Sequence, residues 1–188
     1  MTGELKDAAV RSYVAGKYAI DTLHTFVSFM VSHFVISHVE GRFNNVTGDF
    51  TLAIPFTDST ANVTVEIASI DTGVPMRDQD LRSKNFFEAE KYPAMTFESR
   101  SISGMPESFT VLGALTIKDV TKNVQFSGKY NGSLKDPRGY QRAALQVTGK
   151  VNRRDFHIDH EEPTVLGPGI GDEVTINISI DGTLREKP

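Results

Sequence analysis

The 188-residue chain has no cysteine and no tryptophan, and none of its apolar runs approaches the roughly 20 residues that a membrane-spanning helix needs. Without cysteine, disulfides, thiolate metal sites and a cysteine nucleophile are excluded. A basic excess is missing too. The net charge is −4 and the isoelectric point is near 5.7, which argues against nucleic acid as a partner, because that role usually needs a positive surface. No G-x-S-x-G elbow, no H-E-x-x-H spacing and no recognisable Ser-His-Asp arrangement occurs. Residues 1–17 carry charges and lack the apolar centre of a secretory signal, so the expected location is the cytoplasm.

What the chain does have is alternation. Val27, Phe29 and Val31 alternate with Ser28, Met30 and Ser32. The same holds for Phe50, Leu52 and Ile54, for Val63, Val65 and Ile67, and, farther on, for Phe109, Val111, Gly113, Leu115 and Ile117. Val124 and Phe126 follow, then Leu145, Val147, Gly149 and Val151, and finally Val174, Ile176, Ile178 and Ile180. A period of two marks half-buried strands. Turn formers such as Asn44-Asn45, Asn131-Gly132, Asp136-Pro137-Arg138-Gly139 and Gly167-Pro168-Gly169 separate the runs. About eight strands at hairpin spacing predict an antiparallel barrel or sandwich. Glycines inside the runs (Gly41, Gly113, Gly128, Gly149, Gly182) predict a sheet coiled tightly enough to close on itself. One barrel domain is expected over 17–188, after a loose extension over 1–16 with a short helix near 5–14.

An eight-stranded barrel either fills its centre with side chains or holds one small ligand. The inward faces mix Val, Ile and many of the 12 phenylalanines with Gly and Ser. Small residues on such a face leave space, and that space is dry and suited to an acyl or isoprenoid chain. Each buried CH₂ stabilises such a chain by roughly 0.8 kcal/mol. A solid core is the competing reading, and the pattern alone leaves both open.

The stretch 69–97 interrupts the strands with a helical pattern, expected over 77–87, that joins Arg77, Arg82 and Lys84 to Phe86, Phe87 and Tyr92. Arg77 and Leu81 share one side of it; Asp78 and Arg82 are spaced for a supporting i,i+4 pair. The functional alternative places an arginine or Lys84 against a ligand's polar head at the barrel mouth. Asp71-Thr72-Gly73 matches a short aspartic-protease signature, but it leads into a charged helix, and a turn with Gly73 at positive φ is expected instead. His157 and His160, followed by Glu161 and Glu162, have a spacing that can share a helical face, although no metal site is expected. His33 continues the Val27–Phe29–Val31 face, either as a satisfied core residue or as a polar anchor in the lumen.

The ordered motifs resemble the YceI-like family of lipocalin-like polyisoprenoid-binding proteins. They are Asp21-x2-His24-x2-Val27-x-Phe29-x-Val31-x-His33; Gly41-x-Phe43; Ser69-Ile70-Asp71-Thr72; Arg77-Asp78-x2-Leu81-Arg82-Ser83-x2-Phe86-Phe87; Tyr92-Pro93-x2-Thr96-Phe97; Gly113-Ala114-Leu115-Thr116-Ile117-x2-Val120-Thr121-Lys122; and Arg154-Asp155-Phe156. The resemblance spans about Tyr18 to Leu184. It implies an all-β fold, an eight-stranded antiparallel lipocalin-like barrel with a short helix packed over it. The lumen would hold an isoprenoid-type lipid, such as a polyprenyl pyrophosphate or isoprenoid quinone, or a fatty acid or amide. No catalytic residues, metal or other cofactor are implied. Family members are often periplasmic, from which the absence of a signal in this chain departs. A homodimer is expected by resemblance only. The expected ligand contacts are Val27, Phe29, Val31, Phe43, Phe86 and Phe97 for the tail, and His24, His33, Arg77, Arg82, Lys84 and Asn85 for the head. The rivals are a stress-related interaction module with a filled barrel core and, more remotely, an enzyme acting on a prenyl or acyl substrate.

Overall fold

The computed structural model describes residues 12–186. Its strands are β1 (Gly16–Ile20), β2 (Phe26–His33), β3 (Ser37–Phe43), β4 (Val46–Leu52), β5 (Thr60–Glu66), β6 (Ile70–Asp71), β7 (Ala94–Met105), β8 (Ser108–Ile117), β9 (Val120–Lys135), β10 (Gln141–Asn152) and β11 (Ile170–Glu186). Every pairing is antiparallel, in the order β1-β4-β5-β7-β8-β9-β10-β11, and β11 returns to β1. Eight strands therefore close a ring. The remaining three continue from β11 as β2-β3-β6. They are upper halves of strands already in the ring. β11 pairs with β1 through its C-terminal end and with β2 through residues 170–179. The expected eight-stranded antiparallel barrel with one short helix is what the chain forms.

The two ends of the barrel are built differently. At the lower end Tyr18 is fully buried and stacks on Phe50, with centroids 5.1 Å apart. Tyr13 packs edge-on against Tyr130 at 5.4 Å, and Phe56 against Phe109 at 5.2 Å. The helix expected over 5–14 falls outside the described residues as far as 11. Ser12 forms an isolated bridge to Ser133, and its carbonyl accepts hydrogen bonds from the Tyr130 and Ser133 hydroxyls at 2.8 and 2.6 Å. The Tyr13 hydroxyl donates to the Ala53 carbonyl at 2.6 Å. These bonds seat residues 12 and 13 under the barrel.

At the upper end the sheet parts. The β5–β7 ladder stops at the Glu66–Ala94 pair, and β6 continues beside β3 alone. Residues 72–93 fill the gap, beginning with α1 (Pro75–Arg82). Pro75 stands in the first turn, where its fixed φ is helical and its missing N–H costs nothing. The helix is shorter than the 77–87 expected from the sequence. Ser83 is extended, and its hydroxyl accepts from the Asn85 N–H at 3.2 Å, a local bond that competes with the helical ladder. Nor does the expected Asp78–Arg82 pair form. Asp78 is buried against β6 and accepts from the Thr72 N–H (2.9 Å) and hydroxyl (2.6 Å), while Arg82 donates to the carbonyls of Ala68 and Ile70 at 3.3 and 3.4 Å. Both side chains spend their hydrogen bonds pinning the helix to the strand.

The sheet closes on itself as expected, and its strand glycines have a further use. A β-carbon on Gly41, Gly113, Gly128, Gly149 or Gly182 would collide with the ring of Phe29, Phe97, Phe109, Phe126 or Phe50 respectively. The room that each glycine vacates is taken by a phenylalanine lying over it. Small inward residues therefore do not by themselves open the lumen.

Candidate functional site

The open space comes from the parting of the sheet. A cavity of about 880 Å³ occupies the upper barrel, near the top of the range of about 300–1,000 Å³ usual for small-molecule sites. One wall is β2, whose inward residues Val27, Phe29, Val31 and His33 succeed one another up the strand. Val174 and Ile176 of β11 stand beside them, and Leu81, Phe86 and Phe87 face them from the 72–93 cover. Aromatic edges connect wall to cover: Phe29 lies 5.7 Å from Phe43, which meets Phe87 edge-on at 5.7 Å, and Phe86 lies 4.9 Å from His160. A second space of about 120 Å³ lies below, bordered by Phe97, Phe109 and Ile178. Val27, Met95, Ile117 and Ile176 border both, so the two spaces are stacked along the barrel.

Polar groups gather at the mouth. Arg77 donates through Nε to the Thr72 hydroxyl at 2.8 Å and through Nη2 to the Thr72 carbonyl at 3.0 Å. Its Nη1 has no hydrogen-bond partner among the described residues. Lys84 borders the cavity, is exposed, and has no ion-pair partner among the described residues. Asn85 donates to the Asp80 carboxylate at 3.0 Å. These residues offer cationic and neutral donors beside an apolar interior.

Of the residues expected to meet a ligand, the structure brings Val27, Phe29, Val31, His33, Phe43, Phe86, Arg77, Lys84 and Asn85 to the upper cavity. Phe97 borders only the lower space. His24 and Arg82 reach neither. His24 sits on the bend between β1 and β2, 64% exposed, with Nδ1 2.9 Å from Asp21 Oδ2, and Arg82 is turned back onto β6. Thr72 and Gly73 form the expected turn, with Gly73 at φ 75° and its N–H donating to Asp71 Oδ1 at 2.9 Å. His157 takes a left-handed conformation 3.8 Å from Asp119, and His160 stands 3.9 Å from Glu162. No three metal-ligating side chains converge among the described residues.

The sequence reading missed Arg153. It borders the cavity yet is only 5% exposed. Its guanidinium donates to the carbonyls of Gly171 (2.9 Å), Ile158 (2.6 Å), His160 (2.9 Å) and Ile170 (3.2 Å), with Asp172 at 3.2 Å as counter-charge. Burial, reinforced by neighbouring Arg154, lowers its pKa from the usual arginine range. With its donors committed, Arg153 anchors the β10–β11 connection and leaves little for a ligand. A signal was present: it is the next inward position after Val147, Gly149 and Val151.

A YceI-like domain profile matches residues 18–182. A UPF0312 protein of Photorhabdus laumondii is 37% identical over 179 residues, covering 94% of this chain and 90% of its own. A Campylobacter jejuni YceI protein superimposes with a TM-score of 0.70 at 28% identity, over 82% of this chain and 90% of that one. A polyisoprenoid-binding domain from Saccharophagus degradans shares the fold, with a TM-score of 0.66 at 16% identity over 89% of this chain and 98% of that one.

Proposed function

Since the chain belongs to the YceI-like domain family, we propose that it binds one long apolar molecule of the isoprenoid or acyl class and carries or sequesters it without transforming it. The upper cavity is the observation that carries this reading: about 880 Å³, walled mainly by aliphatic and aromatic side chains, with Arg77 and Lys84 at the rim. A buried chain on the order of 15 CH₂ groups long gains roughly 12 kcal/mol, against roughly 4–15 kcal/mol of association cost. Tail burial alone therefore gives modest affinity, and the head contacts at the mouth matter. Arg77 and Lys84 match an anionic or carbonyl head, such as a pyrophosphate, a carboxylate or a quinone oxygen. Binding rather than turnover is supported by the placement of the polar groups: Arg77 and Lys84 stand at the entrance, and the buried Arg153 has its donors committed to backbone carbonyls.

Native mass spectrometry followed by organic extraction tests the reading. A stoichiometric long-chain apolar ligand is expected, together with loss of uptake in Phe29→Asp, which sets a charge in the cavity wall. Ligand-free protein that also refuses added prenyl and acyl lipids refutes it.

A further inference from the structure

The cavity mouth is flanked by apolar side chains that cover nothing. The β2–β3 turn presents Phe34, Val35 and Ile36 to solvent, and Ile36 is 80% exposed. Beside it, Thr164 and Gly167 close a tight turn whose two tip residues, Val165 and Leu166, are fully and 70% exposed. The two tips are held together. The Phe34 N–H donates to the Gly169 carbonyl at 2.8 Å, and a β-carbon placed on Gly167 would touch Val35 at 3.5 Å. Phe34 and Val35 both have left-handed backbones, at φ 50° and 67°. A β-branched residue rarely holds that conformation. The fold thus maintains a strained turn whose product is an exposed apolar tip.

This tip is continuous with the ligand site. The Phe34 ring lies 3.8 Å from that of His33, which borders the cavity, and Ile170, paired with His33, borders it as well. Across the opening, Val74 and Met76 border the cavity while remaining exposed, Met76 by 80%.

The geometry points to a bilayer-docking rim: the two apolar tips insert into the surface of a zwitterionic phospholipid membrane and set the cavity mouth against it, so that an apolar chain passes between membrane and barrel without crossing water. This rests on the lipid-binding reading above, since the mouth needs a ligand that comes from a membrane. The shape of the rim favours a bilayer over a protein partner. A stable protein interface covers roughly 800 Å² per side and needs a broad complementary surface. Here a few side chains project from two narrow turns, the form that partitions into an acyl boundary according to its apolar area. The charge at the rim is mixed, Arg77 and Lys84 with Asp80 and Glu162, so attraction to anionic lipid is not the driving term.

Flotation with phosphatidylcholine vesicles tests this, comparing the wild type with Ile36→Asp/Leu166→Asp. Both positions are exposed, so the variant keeps its fold, which an unchanged urea midpoint verifies. The wild type is expected to float with the vesicles and the variant to lose about tenfold in partitioning. Transfer of a fluorescent prenyl probe between vesicles falls in parallel, while uptake of the same probe from dilute solution stays unchanged. Three results overturn the docking rim: equal flotation of both proteins; no flotation by a wild type that takes up the probe from solution; or a wild-type dimer that the substitutions dissociate. A wild type that floats but takes up neither the prenyl probe nor an acyl counterpart from solution refutes the lipid-binding reading and leaves docking standing.

Discussion

Alanine at Gly41 and alanine at Gly113 are the same chemical change at two phenylalanine-covered glycines, and they are expected to be read by different assays. At Gly113 the new methyl would run into the Phe97 ring and lie 2.6 Å from the Glu98 carbonyl oxygen. That oxygen belongs to the β7 backbone and cannot swing aside. Overpacking of this kind costs about 1–3 kcal/mol, only partly offset by the roughly 0.4–1 kcal/mol that replacing glycine gains through the unfolded chain. For a chain of this length that lowers Tm by about 2–8 °C, with ligand affinity unchanged. At Gly41 the methyl would meet the outer atoms of the Phe29 ring at 2.5 and 2.9 Å and the Thr72 methyl at 2.7 Å. The Phe29 ring borders the open cavity, so it yields by moving about an ångström into that space. Stability then changes by less than about 1 kcal/mol, while the displaced ring evicts the equivalent of one or two CH₂ groups of ligand. At roughly 0.8 kcal/mol each, the dissociation constant rises about four- to fifteen-fold. Urea midpoints and fluorescent-lipid titrations on both variants separate the effects. If Gly41→Ala loses stability like Gly113→Ala and binds lipid normally, Phe29 does not face open space and the placement of the cavity is wrong.

Three further expectations follow from single residues. Arg153→Met strips four carbonyls of their donor and should cost about 3–5 kcal/mol, with accelerated hydrogen exchange at residues 158–171; a variant as stable as the wild type would refute the anchoring role. Burial pushes the Asp21 carboxyl up, but hydrogen bonds from Arg142, His24 and the Leu23 N–H outweigh it and bring the pKa from the ordinary 3.8 to about 2. Because the folded value is the lower one, its roughly 2 kcal/mol of stabilisation is complete above about pH 4 and is lost as pH falls toward 2. Asp21→Asn should therefore lower the urea midpoint at pH 7, with the gap to wild type about half closed at pH 3, and a gap independent of pH contradicts the ion-pair account. Lys84→Ala should weaken binding of a carboxylate-headed lipid by about two- to five-fold at low salt, as fits an exposed cation, and leave the matching alcohol unaffected; equal losses for both would move the head elsewhere.

The barrel was legible because its strands carry a strict period of two, and a one-residue register slip would turn every apolar side chain outward. The same periodicity placed Val27, Phe29, Val31 and His33 on one cavity wall. It failed where side chains bond across sequence distance. The roles of Arg82 and Asp78 depend on β6 lying against the helix, which i,i+4 spacing cannot express. The Phe–Gly contacts join different strands, so the glycines read as bends or vacant space. Arg153 drew no expectation, although alternation continues straight through it. Phe97 has the right face and the wrong height, a distinction that depends on where the sheet parts.

That parting bears on how the cavity and the folding of the sheet are separated in this architecture. Between β6 and β7 the container is walled by residues 72–93, fastened through Thr72, Arg82 and the seated rings of Phe86 and Phe87, with no ladder continuing across the gap. The eight strands of the closed ring each owe their position to two neighbours in register, so altering one disturbs the whole circumference. This segment owes its position to a handful of side-chain contacts, and lengthening a surface connection costs only about 0.6 kcal/mol per doubling. Substitutions there can redraw the shape and polarity of one wall while the hydrogen-bonded cylinder stays as it is. The barrel is in effect a fixed vessel with an interchangeable panel, and selectivity can drift in the panel without putting the vessel at risk.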